Sequence, residues 1–449
     1  MRYNPRRSTV RSPSTNDPAA IVAIVVIAIA VIMLLVVTAG VIALPLSVVG
    51  LIGFGIYRYL NPKPPPLDAS TPEQPSFQIP PDAWFSGCWI VAPPNTGKTT
   101  LLQFLACGDF DEDASVILFD SKGDLINSVK RLSCIQDRLI LVEPIEDAAF
   151  ALNPLDISHT TPTHAANLLE YIMAGLLDAK FTAMQTSLFR NVVPAVIEAY
   201  PNPTLETFKQ VMLTGIPDTT KLSPHARQFF ENEKAGFNSK TYDDRRKEVY
   251  WRLDYLLSNA VLRAMFSAPH TKLDMGRAMD EGKVIIIDAN KSILGDDGAE
   301  FFQRFFIALI AQAAQQRAGR PQHAKKACYV YLDECQTCIA KDAKIPILLD
   351  ECRAQRVGLL LAHQRVDQIK NADVLSALAN CAIRVANSDD DAKYLADKFR
   401  LTADEMRNHP QGTFVTFVRG YTPKGIPLHI EKLDLDSFPQ VSDAENGTR

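Results

Sequence analysis

Residues 87–106 read GCWIVAPPNTGKTTLLQFLA. A short apolar run feeds a loop with two Pro and one Gly, and Lys-Thr-Thr then opens an apolar-striped segment, which is the strand, loop and helix order of a phosphate-binding loop. In that order the backbone N–H groups of Asn95 to Thr100 wrap a β-phosphate at a helix N-terminus, Lys98 bridges the β- and γ-phosphates, and Thr99 holds Mg²⁺. The nucleotide-binding positions are therefore Ala92, Pro93, Pro94, Asn95, Thr96, Gly97, Lys98, Thr99 and Thr100, with ATP and Mg²⁺ as the expected cofactors. The loop departs from the usual pattern at its first position, where Ala92 stands for Gly. Pro93 and Pro94 lack N–H groups but precede the donors, and Asn95 is the non-Gly residue best suited to a left-handed conformation.

Outward from this loop, short apolar runs ending in a polar or small residue recur at 87–92, 116–120, 284–288, 328–333, 357–362 and 382–386. Their alternation with helix-like stripes predicts an α/β fold on a mostly parallel sheet. Between about Thr160 and Met275 the strand signal gives way to stripes such as NLLEYIMAGLLDA, which read as a helical insertion. GTFVTFV and IPLHI, separated by RGYTPKG, predict a hairpin at the sheet edge.

A phosphate-binding loop of this kind works with an acidic strand end beside it. Asp120, Asp288 and Asp333 compete for that place, and only Asp333 is followed by a second carboxylate, in ACYVYLDE. Asp333 is expected to hold Mg²⁺ through water and Glu334 to act as general base, while Asp120 and Asp288 read as turn-forming strand ends. Cys335 and Cys338 have a zinc-like spacing but lack a nearby second pair. His363 reads as part of a strand-end turn, and Arg245-Arg246-Lys247 as a solvated helix face paired with Asp243 and Asp244.

The collinear order FDSKGDLI, ALNPLDI, a helical insertion, MDEGKVIIIDANKSILGDDGAEFFQRFFIALI, YVYLDECQ, LLDECRAQRVGLLLAHQRVDQI and LANCAIRVANSDDDAKYLAD resembles the type IV secretion system coupling proteins. These are TraG/TraD-like DNA-binding ATPases of the HerA/FtsK superfamily, and the resemblance covers roughly residues 85–400. It implies a RecA-like P-loop NTPase domain with a helical insertion, preceded by an N-terminal transmembrane helical hairpin. It also implies roles for two further residues: Gln364 as the amide that senses the γ-phosphate, and Arg353 as the guanidinium that reaches a neighbour's nucleotide, with Arg356 and Arg384 as rivals.

The expected organisation is a cytoplasmic basic tail over 1–18, two transmembrane helices within 19–60, a Pro-rich linker over 61–82, the first part of the motor over 83–158, an all-α insertion over 159–275, the second part of the motor over 276–432 and a loose polar tail over 433–449. The membrane reading rests on forty consecutive uncharged residues between Asp17 and Arg58. One helix of that length would be about 60 Å, roughly twice a hydrocarbon core, so two spans fit better. Arg2, Arg6, Arg7 and Arg11 precede the run and Arg58 and Lys63 follow it, which places both ends in the cytoplasm of a bacterial inner membrane. The linker follows from eight Pro in residues 61–81.

The whole chain carries −4, and residues 1–58 hold five Arg and one Asp, so the remainder stands at −8. That balance excludes a protein that coats nucleic acid electrostatically. The eight Cys lie scattered in apolar segments, unlike a secreted disulfide scaffold.

The function expected is a membrane-anchored ATPase that couples DNA, single-stranded and carrying a relaxase-like protein, to secretion channel components, as a homo-hexamer. One alternative is a tethered NTPase that recruits or moves protein without DNA translocation, and another is a HerA-like DNA-processing translocase; the very short outer turn between the spans departs from the coupling family, which usually carries a larger periplasmic segment there. The two-span topology predicts that reporters or accessible cysteines placed at Pro5 and at Ser70 both report a cytoplasmic location, and a periplasmic signal from either contradicts it.

Overall fold

The computed structural model describes residues 79–441, apart from 111, 124, 177–181 and 341–344. The basic tail, the two predicted membrane spans and nearly all of the linker lie outside the described residues. Among the described residues no helix is long and apolar enough to cross a membrane.

Nine strands form one sheet: β1 (Cys88–Val91), β2 (Ser115–Asp120), β3 (Leu139–Val142), β4 (Val284–Asp288), β5 (Cys328–Leu332), β6 (Val357–His363), β7 (Ile383–Ala386), β8 (Thr413–Val418) and β9 (Ile426–His429). Their order across the sheet is β3-β4-β2-β5-β6-β1-β7-β8-β9. All neighbours from β3 to β7 run parallel, and β8 and β9 complete the edge antiparallel. The central strands SVILFD, CYVYL and VGLLLAH are buried at every position. Near-continuous apolar runs are what a parallel sheet covered on both faces requires. The six predicted strands and the closing hairpin coincide with observed strands to within a residue or two. Leu139–Val142 is a further edge strand that the periodicity does not flag, since three of its four residues are only half-buried.

Helix Lys291–Gln316 lies against the sheet, with Phe301, Phe302, Phe305 and Phe306 buried. Phe306 meets Phe119 of β2 edge-on at 6.3 Å between ring centroids. The segment from Pro162 to Phe266 is helical throughout its ordered elements. Two of its helices, Ala183–Ala199 and Leu205–Thr214, start on side-chain caps, Thr182 with Gln185 and Thr204 with Thr207 each forming a reciprocal capping box. Phe266 at its end packs on Phe301 and Phe305 at 5.0 and 5.1 Å, so the insertion and the sheet-covering helix share one core.

Two surface readings change. Arg246 is not on a solvated face: it is buried, stacks 4.3 Å from the Phe237 ring centroid and donates to the Met212 carbonyl at 3.3 Å. Its neighbours do behave as expected of surface charges, Lys247 pairing with Asp243 at 2.7 Å and Arg245 with Glu248 at 3.4 Å. The polar stretch read as a loose tail is held, as far as it is described. Ser133 N–H donates to the Pro439 carbonyl and Val441 N–H to the Arg131 carbonyl, both at 2.9 Å.

Candidate nucleotide site

The register of three adjacent parallel strands builds the site. β6 lies between β1 and β5, so the loop leaving β1 and the acidic pair leaving β5 face each other across the carboxyl end of β6. The loop keeps the shape its composition demands. Asn95 has φ 66° and Gly97 has φ 98°. A Cβ on Gly97 would stand 3.3 Å from the Gly412 nitrogen. Gly412 donates its N–H to the Thr96 carbonyl at 2.9 Å, and the Thr96 hydroxyl donates to the Pro93 carbonyl at 2.7 Å. The segment before β8 therefore braces the loop from outside, a contact between residues more than three hundred positions apart that no local pattern signals. Lys98 begins helix Lys98–Phe110, with Thr99 and Thr100 in its first turn.

Lys98 is buried and its ammonium is ion-paired with both Asp333 and Glu334, the latter at 2.8 Å. Oε1 of Glu334 also accepts from Gln364 Nε2 at 2.7 Å and from Lys122 Nζ at 2.9 Å, while Oε2 accepts from Gln336 Nε2 at 2.7 Å. Glu334 sits at φ 52°, a left-handed conformation that a non-Gly residue adopts only when its surroundings hold it there. Burial works against its charge, but Lys98, Gln364 and Gln336 outweigh that and hold the carboxyl down at about 2. Burial pushes Asp333 up in spite of the Lys98 ammonium beside it. Burial alone would lower Lys98, and the two carboxylates reverse this and raise it. The group is thus a charged lysine shared by two buried carboxylates of unequal acidity.

Asp120 caps its own strand end: its carboxylate accepts from the backbone N–H groups of Lys122 at 2.9 Å, Leu125 at 2.8 Å and Ile126 at 3.2 Å. Asp288 ends β4 opposite Asp120 and is pushed up to about 6, by burial first and then by the Asp120 and Glu143 charges. Both are strand ends, as their sequence context suggests. Cys335 and Cys338 are buried thiols, Cys335 pushed up by burial, and among the described residues no group of three or more His, Cys, Asp or Glu could hold a metal. Thr99 and Asp333 instead offer a hydroxyl and a carboxylate oxygen near Lys98. Mg²⁺ with nucleotide phosphates needs only one or two such protein oxygens, so the donor set fits it.

Arg353 is not brought to this cluster. It is exposed at the end of helix Ile345–Ala354, lining a cavity of about 200 Å³ with Ser86, Asp350, Cys381 and Arg419. Ser86, Arg353 and Cys381 precede β1, β6 and β7, so this cavity lies at the amino ends of these parallel strands, the opposite end from Lys98. Of its rivals, Arg384 is buried, stacked 4.5 Å from the Phe417 centroid and bonded to the Lys398 carbonyl at 2.6 Å. Arg356 stacks on Phe85 at 5.1 Å. The sequence pattern missed Lys122 and Gln336. Gln336 follows Glu334 by two positions, and its direction becomes visible only in the turn after β5.

Solved structures share this architecture. The bacterial conjugative coupling protein TrwB, unbound, superposes with a TM-score of 0.55 over 79% of this chain and 87% of its own, at 14% identity. The fold is that of the conjugative coupling proteins. TrwB in complex with the GTP analogue GDPNP gives 0.56 over 80% and 88% at 15% identity, and TrwB has also been solved with ADP and Mg²⁺. VirB4 of Thermoanaerobacter pseudethanolicus gives 0.54 over 78% and 89% at 14% identity. No family profile and no curated relative matches the sequence.

His363 closes the floor of the site and is not a base. The Trp89 indole N–H donates to its Nε2 at 2.7 Å, which leaves Nδ1 to donate to the Arg365 carbonyl at 2.8 Å. Burial drops this imidazole from 6.5 to about 4. The unfolded chain therefore takes up the proton first, so the His363 contribution to stability is full above about pH 6.5 and is lost as pH falls toward about 4, by about 3 kcal/mol at most. Denaturant titrations followed by tryptophan fluorescence should show a steeper loss between about pH 7 and pH 5 in the wild type than in His363→Gln, whose side chain does not titrate. Equal slopes would contradict it.

Proposed function

We propose that this chain is a membrane-anchored P-loop ATPase that couples DNA to a type IV secretion channel. The observation that carries the reading is the convergence of Lys98, Asp333, Glu334 and Gln364, from three adjacent strands, within a coupling-protein fold. In this reading Lys98 exchanges its carboxylate partners for the β- and γ-phosphates, and the N–H groups of the loop cradle the β-phosphate. Thr99 and Asp333 would hold Mg²⁺, which would supply charge neutralisation at the phosphates when bound. Glu334 accepts the proton of the attacking water, and Gln364 links the γ-phosphate position to Glu334 and to β6. The cargo is single-stranded DNA with a relaxase-like protein, and the partners are channel components.

Arg353 belongs to the site of an adjacent subunit in a homo-hexamer. Its exposure at the amino ends of the strands, away from Lys98 of its own chain, suits that role. The two-span anchor places the motor on the cytoplasmic side of the inner membrane. A protein cargo is the second reading, favoured by the −8 carried by residues 59–449. Stimulation of ATP hydrolysis by single-stranded DNA separates the two, since a protein-moving NTPase is not stimulated.

For the full-length chain, Lys98→Ala should abolish turnover, and Glu334→Gln should bind ATP without hydrolysing it. Arg353→Ala should bind ATP and lose roughly 10³-fold or more in turnover. Mixing Arg353→Ala with Glu334→Gln subunits should restore part of the activity where intact halves meet. Wild-type turnover by Glu334→Gln refutes the base assignment, and absence of rescue in proven mixed rings refutes Arg353 as the residue acting across subunits.

A further inference from the structure

Two buried carboxylates, Asp333 and Glu334, face one buried ammonium, Lys98. The second positive charge is Lys122, which approaches from outside: its side chain is 53% exposed, against 6% for Glu334. It leaves the end of β2, where β2 pairs with β5 through Phe119 and Leu332, so each chain leaves the sheet beside the other. The backbone carrying it is fixed independently, because the Lys122 N–H is held by the Asp120 carboxylate at 2.9 Å and Gly123 turns the chain away at φ 88°.

Three donors crowd Oε1 of Glu334: Lys98 at 2.8 Å, Lys122 at 2.9 Å and Gln364 at 2.7 Å. An oxygen with two lone pairs cannot satisfy all three and still take a proton from water. Lys98 is the donor that leaves, since the loop aims it at the phosphates. Once it does, Lys122 is the remaining ammonium on Glu334, and Gln364 and Gln336 are the remaining neutral donors. An ion pair with one half-exposed partner adds little to stability, but it fixes where the carboxylate points.

We infer that Lys122 is a positioning residue for ATP hydrolysis, acting through Glu334 by holding its Oε1 while Lys98 is engaged by the phosphates, so that the lone pair of Oε2 not used by Gln336 meets the attacking water. This rests on the ATPase reading above. Lys122 itself does not bind the nucleotide.

The test uses full-length wild type, Lys122→Met, Lys122→Arg, Glu334→Gln and the Lys122→Met/Glu334→Gln double variant, with steady-state turnover and equilibrium binding of a fluorescent non-hydrolysable ATP analogue with Mg²⁺. Lys122→Met should lower kcat by about 10- to 100-fold, the cost of a misplaced catalytic group. KM and the Kd of the analogue should stay within about twofold of wild type, as expected when an interaction is made only in the transition state. Lys122→Arg should recover most of the loss, and in the Glu334→Gln background Lys122→Met should change the residual rate no further. Weakened analogue binding, or a raised KM with kcat intact, overturns the inference by making Lys122 a nucleotide ligand. Additive losses in the double variant overturn it by removing Glu334 as the intermediary. Wild-type kcat in Lys122→Met beside an inactive Glu334→Gln overturns this inference alone, whereas wild-type turnover in Glu334→Gln overturns the ATPase assignment and this inference with it.

Discussion

The ion pairs of Lys98 with Asp333 and Glu334 tie together residues more than two hundred positions apart and define where the two halves of the sheet meet. A buried ammonium between two buried carboxylates is costly to assemble, and removing one member would leave an uncompensated buried charge. Such a cluster is a poor device for stability. It is a good device for binding a polyanion, because the lysine already has its desolvation cost met by the carboxylates and exchanges one set of anionic oxygens for another.

Everything around that cluster constrains its geometry. β6 separates the phosphate loop from the acidic pair by one strand width and places Gln364 between them. The Trp89 indole and His363 lock the floor, and Gly412 braces the loop from the strand β8 side. Behind the sheet, the phenylalanines of helix Lys291–Gln316 join the sheet core to that of the helical segment through Phe266 and Phe119. The site is held rigidly on one side by backbone and on the other by side chains that must exchange partners when phosphate arrives.

Much of this was legible in the residues. The apolar runs declare a buried parallel sheet, since strands covered on both faces need no polar alternation. The Gly-Lys-Thr step after a strand declares the loop, and the paired acid in YVYLDE singles out β5 over the ends of β2 and β4. What stayed hidden depends on register and distance. Leu139–Val142 is an edge strand too short and too exposed for its pattern to speak. Gly412 reads as part of an ordinary turn until the fold brings it to Gly97. Lys122 carries no motif of its own, and only the pairing of Phe119 with Leu332 sets it beside Glu334. Arg246 looks like one charge in a surface run, and only Phe237 reveals why it is buried.

The central claim is that the Lys98, Asp333 and Glu334 cluster is a site for nucleotide phosphates. Equilibrium titration of the full-length chain with a non-hydrolysable ATP analogue, with and without Mg²⁺, addresses it directly. The account predicts saturable binding of a single nucleotide per chain that weakens without Mg²⁺ and is lost in Lys98→Ala. Absence of saturable binding, or binding indifferent to both Mg²⁺ and Lys98, would contradict it.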